Sequence, residues 1–66
     1  MNKYDAENAI FSELKAFMPT MKEIPFDKGL PLLRHELWRL ADKYDTDGAN
    51  VVNILMNRFG ELEDGN

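Results

Sequence analysis

The amino-acid sequence predicts an all-α domain, a small three-helix bundle, from three observations. Apolar residues recur at spacings of three and four in three separate stretches of the chain. Each stretch is bounded by residues that start or stop helices. The 66 residues include no cysteine, so helix packing or association, and not disulfide bonds, must stabilise so short a chain.

The first predicted helix spans residues 5–18. Its apolar stripe comprises Ala6, Ala9, Ile10, Leu14 and Phe17. Pro19 is expected to end the helix, because proline disfavours a helical backbone in the residue before it. The segment from Pro19 to Gly29 holds two prolines and a glycine, which predicts an ordered connection between helices 1 and 2. We expect Ile24 and Phe26 of this connection to point into the core.

The second predicted helix spans residues 31–44 and starts at Pro31, where a missing N–H costs no hydrogen bond. Its apolar stripe comprises Leu30, Leu33, Leu37, Leu40, Ala41 and Tyr44. Asp45, Thr46 or Asp47 can cap a third helix, at residues 49–59, which carries Val51, Val52, Leu55 and Phe59 on one face. Gly60 is expected to stop that helix. Residues 1–60 then form one domain, and residues 61–66 an acidic tail that we expect to fray.

Composition limits the classes of partner. Apolar residues make up 44% of the chain and charged residues 30%, which is typical of a globular protein. A net charge of −4 disfavours non-specific attraction to nucleic acid or to an anionic membrane. The N-terminal residues do not resemble a secretory signal, and no apolar run is long enough to span a bilayer. We therefore expect a cytoplasmic protein without a membrane partner.

Two partial motifs for metal ions fail on inspection. If Gly48 is the glycine of an EF-hand loop, Lys43 and Ile54 occupy the first and last ligand positions, where carboxylates are needed. His35 is followed four residues later by Arg39, where a zinc motif needs a second histidine. No spacing brings a nucleophile and a base together. The sequence thus predicts no metal, no cofactor and no enzyme activity.

A polar surface on helices 2 and 3 gives one candidate function, nucleic-acid binding. His35, Arg39 and Lys43 follow one another at four-residue spacing, and asparagine side chains on helix 3 can read adenine edges. The candidate contacts are Arg34, His35, Arg39, Lys43, Asn50, Asn53 and Asn57. Glu36 and Asp42 dilute the stripe, and the net charge is negative. Nucleic-acid binding is therefore the alternative prediction.

Surplus apolar residues give the leading prediction. Aromatic and methionine side chains beyond those that three short helices need for a core are typical of contact surfaces. The candidate protein contacts are Phe11, Met18, Trp38, Ile54 and Met56. Trp38 lies at the edge of the helix 2 stripe, although it could instead fold over the connection onto Ile24 or Phe26. The sequence favours a non-catalytic protein–protein interaction module or small regulator, with a homodimer as its simplest form.

Overall fold

A computed structural model describes residues 3–64 of the chain. Over this range the protein is helical, without a strand, and the predicted all-α class is confirmed. The helices are α1 (Lys3–Lys22), α2 (Phe26–Lys43), α3 (Gly48–Asn57) and α4 (Phe59–Asp64). The first three are the predicted helices with different ends, and α4 was not expected.

The predicted connection at residues 19–29 is wrong, because both helices that flank it continue into it. Pro19 lies inside α1 and Pro31 lies inside α2, so only residues 23–25 separate the two helices. Each proline removes one backbone hydrogen bond. Packing between the helices offsets that loss. Gly29 is buried, and a Cβ at this position would lie 3.0 Å from the Cε atom of Met21.

The tip of the α1–α2 hairpin differs from the prediction in a second way. Pro25 precedes α2 in an extended conformation, and its carbonyl oxygen accepts hydrogen bonds from the N–H groups of Lys28 and Gly29. The side chain of Ile24 is half-buried. Phe26 was expected to point into the core, but it is 78% exposed. It begins a helix at the tip of the hairpin, where no other element covers it.

Asp47 caps α3, as the sequence indicated. Its side chain accepts a hydrogen bond of 2.8 Å from the backbone N–H of Asn50. The turn before it closes α2 with two backbone hydrogen bonds, from Thr46 to Ala41 and from Asp45 to Asp42. In this arrangement Asp45 has a φ of 53°, the left-handed conformation that glycine usually supplies at a helix C-terminus.

The sequence predicts that the third helix stops at Gly60, but the chain remains helical beyond this residue. Arg58 ends α3, and Gly60 lies inside the short helix α4. Glu61 to Asp64, expected to fray, belong to this helix, and Leu62 is only 4% exposed. Leu62 therefore anchors α4 to the core. The expectation for residues 65–66 lies outside the described residues.

The hydrophobic core lies at one end of the hairpin. Its buried members are Ile10, Phe11, Leu14, Leu40, Ala41, Val51, Ile54 and Leu62. At 1.5 Å per residue, α1 and α2 are about 30 and 27 Å long, whereas α3 is about 15 Å long. Between residues 15 and 39 only Gly29 is buried. The short third helix thus covers one end of the hairpin and leaves the other end two helices thick.

We predict that Asp45→Gly stabilises the protein, because glycine adopts a positive φ without the clash that a Cβ causes. The free energy of unfolding should rise by about 0.5–1 kcal/mol. Asp45→Ala keeps the Cβ and should not stabilise it. Urea unfolding curves of the two variants and the parent measure the difference, and an equal effect of Gly and Ala would contradict the prediction.

Candidate interaction surface

The α1–α2 hairpin presents an apolar face at the end that α3 does not reach. We call residues 15–39 the open end, and the rest of the described chain the closed end. Six apolar side chains of the open end form what we call the open face: Met18, Met21, Phe26, Leu30, Leu33 and Leu37. Phe26 and Leu30 are exposed, and the other four are half-buried. The two helices thus cover these side chains on one side only.

The open face continues the same apolar stripes that form the core. On α2, Leu30, Leu33 and Leu37 precede Leu40 and Ala41 at helical spacing. At the closed end α3 packs on these stripes, with Val51 and Ile54 buried between the helices. Toward the hairpin tip the stripes go on, but the covering helix is missing. The open face therefore lies along the same stripes that α3 packs against at the closed end.

Trp38 lies beside the open face and is 69% exposed. The indole packs against the start of α3, where a Cβ on Gly48 would lie 3.9 Å from its Cδ1 atom. It lines an open depression of about 610 Å³ together with His35, Asp42 and Gly48. The alternative that Trp38 folds over the connection does not hold, because Phe26 is about 18 Å away along α2.

Two of the candidate protein contacts belong to the core instead. Phe11 is 7% exposed and Ile54 is 4% exposed, so neither side chain is accessible to a partner. Ile54 follows the core position Val51 by three residues, and α4 covers the side of α1 on which Phe11 lies. Met18 is half-buried and packs on the core from the open end. Met56 is 67% exposed, on α3.

Arg58 explains why Phe11 is covered. Its guanidinium carbon lies 3.8 Å from the centre of the Phe11 ring, a cation–π contact. Its Nη1 atom donates a hydrogen bond of 3.0 Å to the Oδ1 atom of Asn8, and Glu61 accepts two more from the same guanidinium. Arg58 thus joins α1 to the start of α4 over the ring. Because α4 also covers α1, the apolar residues of α1 must extend around more of the helix than a single stripe.

A carboxylate on α1 neutralises half of the predicted basic stripe. Glu13 accepts hydrogen bonds of 2.8 Å from Arg39 and 2.8 Å from Lys43, and a third from the hydroxyl of Tyr44. Arg39 also pairs with Glu36 at 2.7 Å. We call these five side chains the Glu13 cluster. It fastens α1 to α2 where the open end meets the closed end.

The Glu13 cluster changes the acidity of its members. Hydrogen bonds from Lys43, Tyr44 and Arg39 lower the pKa of Glu13 from 4.5 to about 2. The hydrogen bonds that Lys43 and Tyr44 donate to Glu13 raise the pKa of both groups, because the carboxylate stabilises their protonated forms. All three groups therefore keep their ordinary charge states at neutral pH, and the ion pairs stay intact.

No side-chain hydrogen bond or ion pair of the described residues joins the remaining candidate nucleic-acid contacts to one another. The side-chain amide of Asn50 donates to the hydroxyl of Thr46 at 2.9 Å, within the turn that caps α3. Asn53 and Asn57 are exposed on α3, and Arg34 and His35 are exposed on α2. Of the four predicted cationic contacts, only these last two are not occupied by the Glu13 cluster.

Unpaired cations are concentrated at the open end. Residues 15–39 contain five lysine or arginine residues and three acidic ones, whereas the rest of the sequence contains three and nine. Within residues 3–64, Arg39, Lys43 and Arg58 form ion pairs. Lys22, Lys28 and Arg34 make none with any described residue. Among the lysine and arginine side chains that the structure describes, those without an ion pair therefore lie within residues 15–39.

In residues 3–64 no three His, Asp or Glu side chains are grouped so that they could hold a metal ion. No helix in that range is both long and apolar enough to cross a membrane. No protein-family model, curated protein or solved structure matches the chain.

We predict that Leu40→Ala and Leu30→Ala differ sharply in their effect on folding. Leu40 is fully buried, so its truncation should lower the free energy of unfolding by about 2–5 kcal/mol. Leu30→Ala should lower it by less than about 1 kcal/mol, because the exposed side chain has little burial to lose. Thermal melts followed by circular dichroism measure both. Similar losses would show that another element covers Leu30.

We predict that Glu13→Gln destabilises the protein at pH 7 by about 1–2 kcal/mol, the range for hydrogen bonds to a partly exposed charged group. The folded-state pKa of about 2 lies below the ordinary 4.5, so the stabilisation is complete above about pH 5 and is lost as the pH falls toward 2. The difference between parent and variant should shrink over that window. Glu23→Gln removes a carboxylate that has no ion-pair partner among the described residues, and it should not change the pH 7 melt.

Proposed function

We propose that the protein is a non-catalytic interaction module that binds another protein chain through the open face. One observation carries this proposal: the apolar stripes of the α1–α2 hairpin extend past the reach of α3, which leaves Phe26 and Leu30 exposed beside four half-buried apolar side chains. Contiguous exposed apolar surface of this kind is typical of contact sites. Trp38, at the edge of this surface, adds the residue type most enriched at the centre of such sites.

Nucleic-acid binding, by Arg34, His35, Arg39, Lys43, Asn50, Asn53 and Asn57, is the weaker candidate. Arg39 and Lys43 already pair with Glu13, so a phosphate would have to compete with a carboxylate at 2.8 Å. The closed end carries an excess of acidic residues, which repels a polyanion. Binding of an apolar partner at the open face does not require any of these ion pairs to break.

We predict that the open face binds a neutral amphipathic helix. The probe is a synthetic peptide with a leucine stripe flanked by glutamines, and its binding is followed by the fluorescence of Trp38. Leu30→Ser should weaken binding by about three- to tenfold, because binding buries the exposed 45% of a side chain whose full burial is worth about 1.5–3 kcal/mol. Leu32→Ser is the matched control. Both leucines are 45% exposed, but they lie about 200° apart around α2.

The control separates a specific surface from general hydrophobicity. If Leu32→Ser weakens binding as much as Leu30→Ser, the peptide does not recognise the open face. If neither change matters, the peptide binds elsewhere, and the proposed surface is wrong. Circular dichroism of both variants checks that the helices remain formed.

The homodimer is one form of this proposal, and sedimentation equilibrium tests it directly. A range of about 5–500 μM covers weak dimers. Self-association through the open face would be lost in Leu30→Ser and kept in Leu32→Ser. A monomer throughout that range would leave a different protein as the partner.

A further inference from the structure

We infer that the partner of the open face is an acidic amphipathic helix from another protein, which docks along the α1–α2 hairpin as its third helix. This inference rests on the function proposed above and specifies the chemistry of the partner. It follows from the shape of the open face, from the cations along its edges and from the way the closed end is built.

The shape of the open face fits a helix. Packed helices generally leave a trough between them, and at the closed end of this protein α3 packs on both α1 and α2. The exposed part of α2, from Phe26 to Leu37, is about 18 Å long. A helix of about three turns covers this length with apolar residues at one side. The occupant at the open end is thus the counterpart of α3.

Cations flank the trough on both sides. Arg34 follows Leu30 by four residues and precedes Leu37 by three, so it lies on the outer edge of the α2 stripe. Lys22 follows Met18 by four residues on α1. Both side chains are exposed and form no ion pair with a described residue. A partner with Glu or Asp on each side of its apolar stripe would supply the missing carboxylates.

The packed part of the molecule, from the Glu13 cluster through the closed end, shows how this protein pairs its cations. Arg39 and Lys43 are held by Glu13 and Glu36, and Arg58 is held by Glu61. Each of these cations borders the packed part of the molecule. The cations of the open end border an apolar face that is unpacked in the free chain. Arg39, Lys43 and Arg58 beside the packed core thus have carboxylate partners, whereas Lys22 and Arg34 beside the open face have none among the described residues.

A second copy fits the open end less well than an acidic helix. Two open ends face to face would bring Lys22 and Arg34 of each copy together, within segments that already carry more cations than acidic groups. Like charges at a contact suppress association. An anionic lipid surface would satisfy the cations, but it is flat and would not fill a trough between two helices.

The test compares two synthetic helical peptides that share one leucine stripe and differ only in their flanking residues, glutamate in one and lysine in the other. We expect the glutamate peptide to bind the full chain about tenfold more tightly in low salt, and the preference to fall as salt is added. Arg34→Glu should reduce the preference to about twofold or less. The readouts are Trp38 fluorescence and calorimetric titration.

Lys28→Glu is the matched control. It makes the same change in net charge, but Lys28 lies on the opposite side of α2 from Leu37, because nine residues make two and a half turns. It should leave the preference for the glutamate peptide unchanged. If Lys28→Glu and Arg34→Glu reduce the preference equally, the selection comes from net charge and not from the edge of the trough, and the inference is overturned.

The other outcomes separate the inference from the proposed function. Equal binding of glutamate, lysine and glutamine peptides overturns the acidic partner and keeps the apolar docking surface. If no peptide binds, and the chain self-associates in a way that Leu30→Ser abolishes, the occupant is a second copy. This result overturns the inference of an acidic partner but not the proposed function. Phosphatidylglycerol vesicles that bind more tightly than the glutamate peptide would replace the helix with a lipid surface. If neither peptide, second copy nor vesicle binds, both proposals are overturned.

Discussion

The mismatch in helix length is the constraint on which the rest of this structure depends. A hairpin of two helices, each about 30 Å long, meets a third helix of about half that length. Helices bury their apolar stripes only where another element lies against them. Core formation is therefore confined to the end that α3 and α4 reach, and the same stripes become exposed surface beyond it. The exposed apolar face is a direct result of where α3 stops.

The helices themselves could be predicted from the sequence, because the spacing of apolar residues is a local property. The helix ends could not, since local rules place Pro19 after the first helix and Pro31 at the start of the second, whereas both lie inside helices. α4 was missed for the same reason. Gly60 favours a stop, and the burial of Leu62 overrides it.

The candidate surface was predicted in part. Trp38 and Met56 are exposed, but Phe11 and Ile54 are core residues, because α1 is packed by α2 on one side and by α3 and α4 on another. A prediction that assigns one apolar stripe to each helix includes too few residues in such a core. The open face was not foreseen, because the helices predicted from the sequence, at residues 5–18, 31–44 and 49–59, are nearly equal in length.

The charge of the molecule is unevenly distributed, because residues 15–39 carry more cations than acidic groups and the rest of the sequence carries the reverse. Its cationic pole coincides with the exposed apolar face, and its anionic pole with the packed core. An acidic molecule that approaches from any direction would experience a torque that turns the receptive pole toward it before contact. Orientation of this kind acts on the rate of encounter more than on the lifetime of a complex. The uneven placement of charge would thus allow a very small protein to bind quickly without binding tightly.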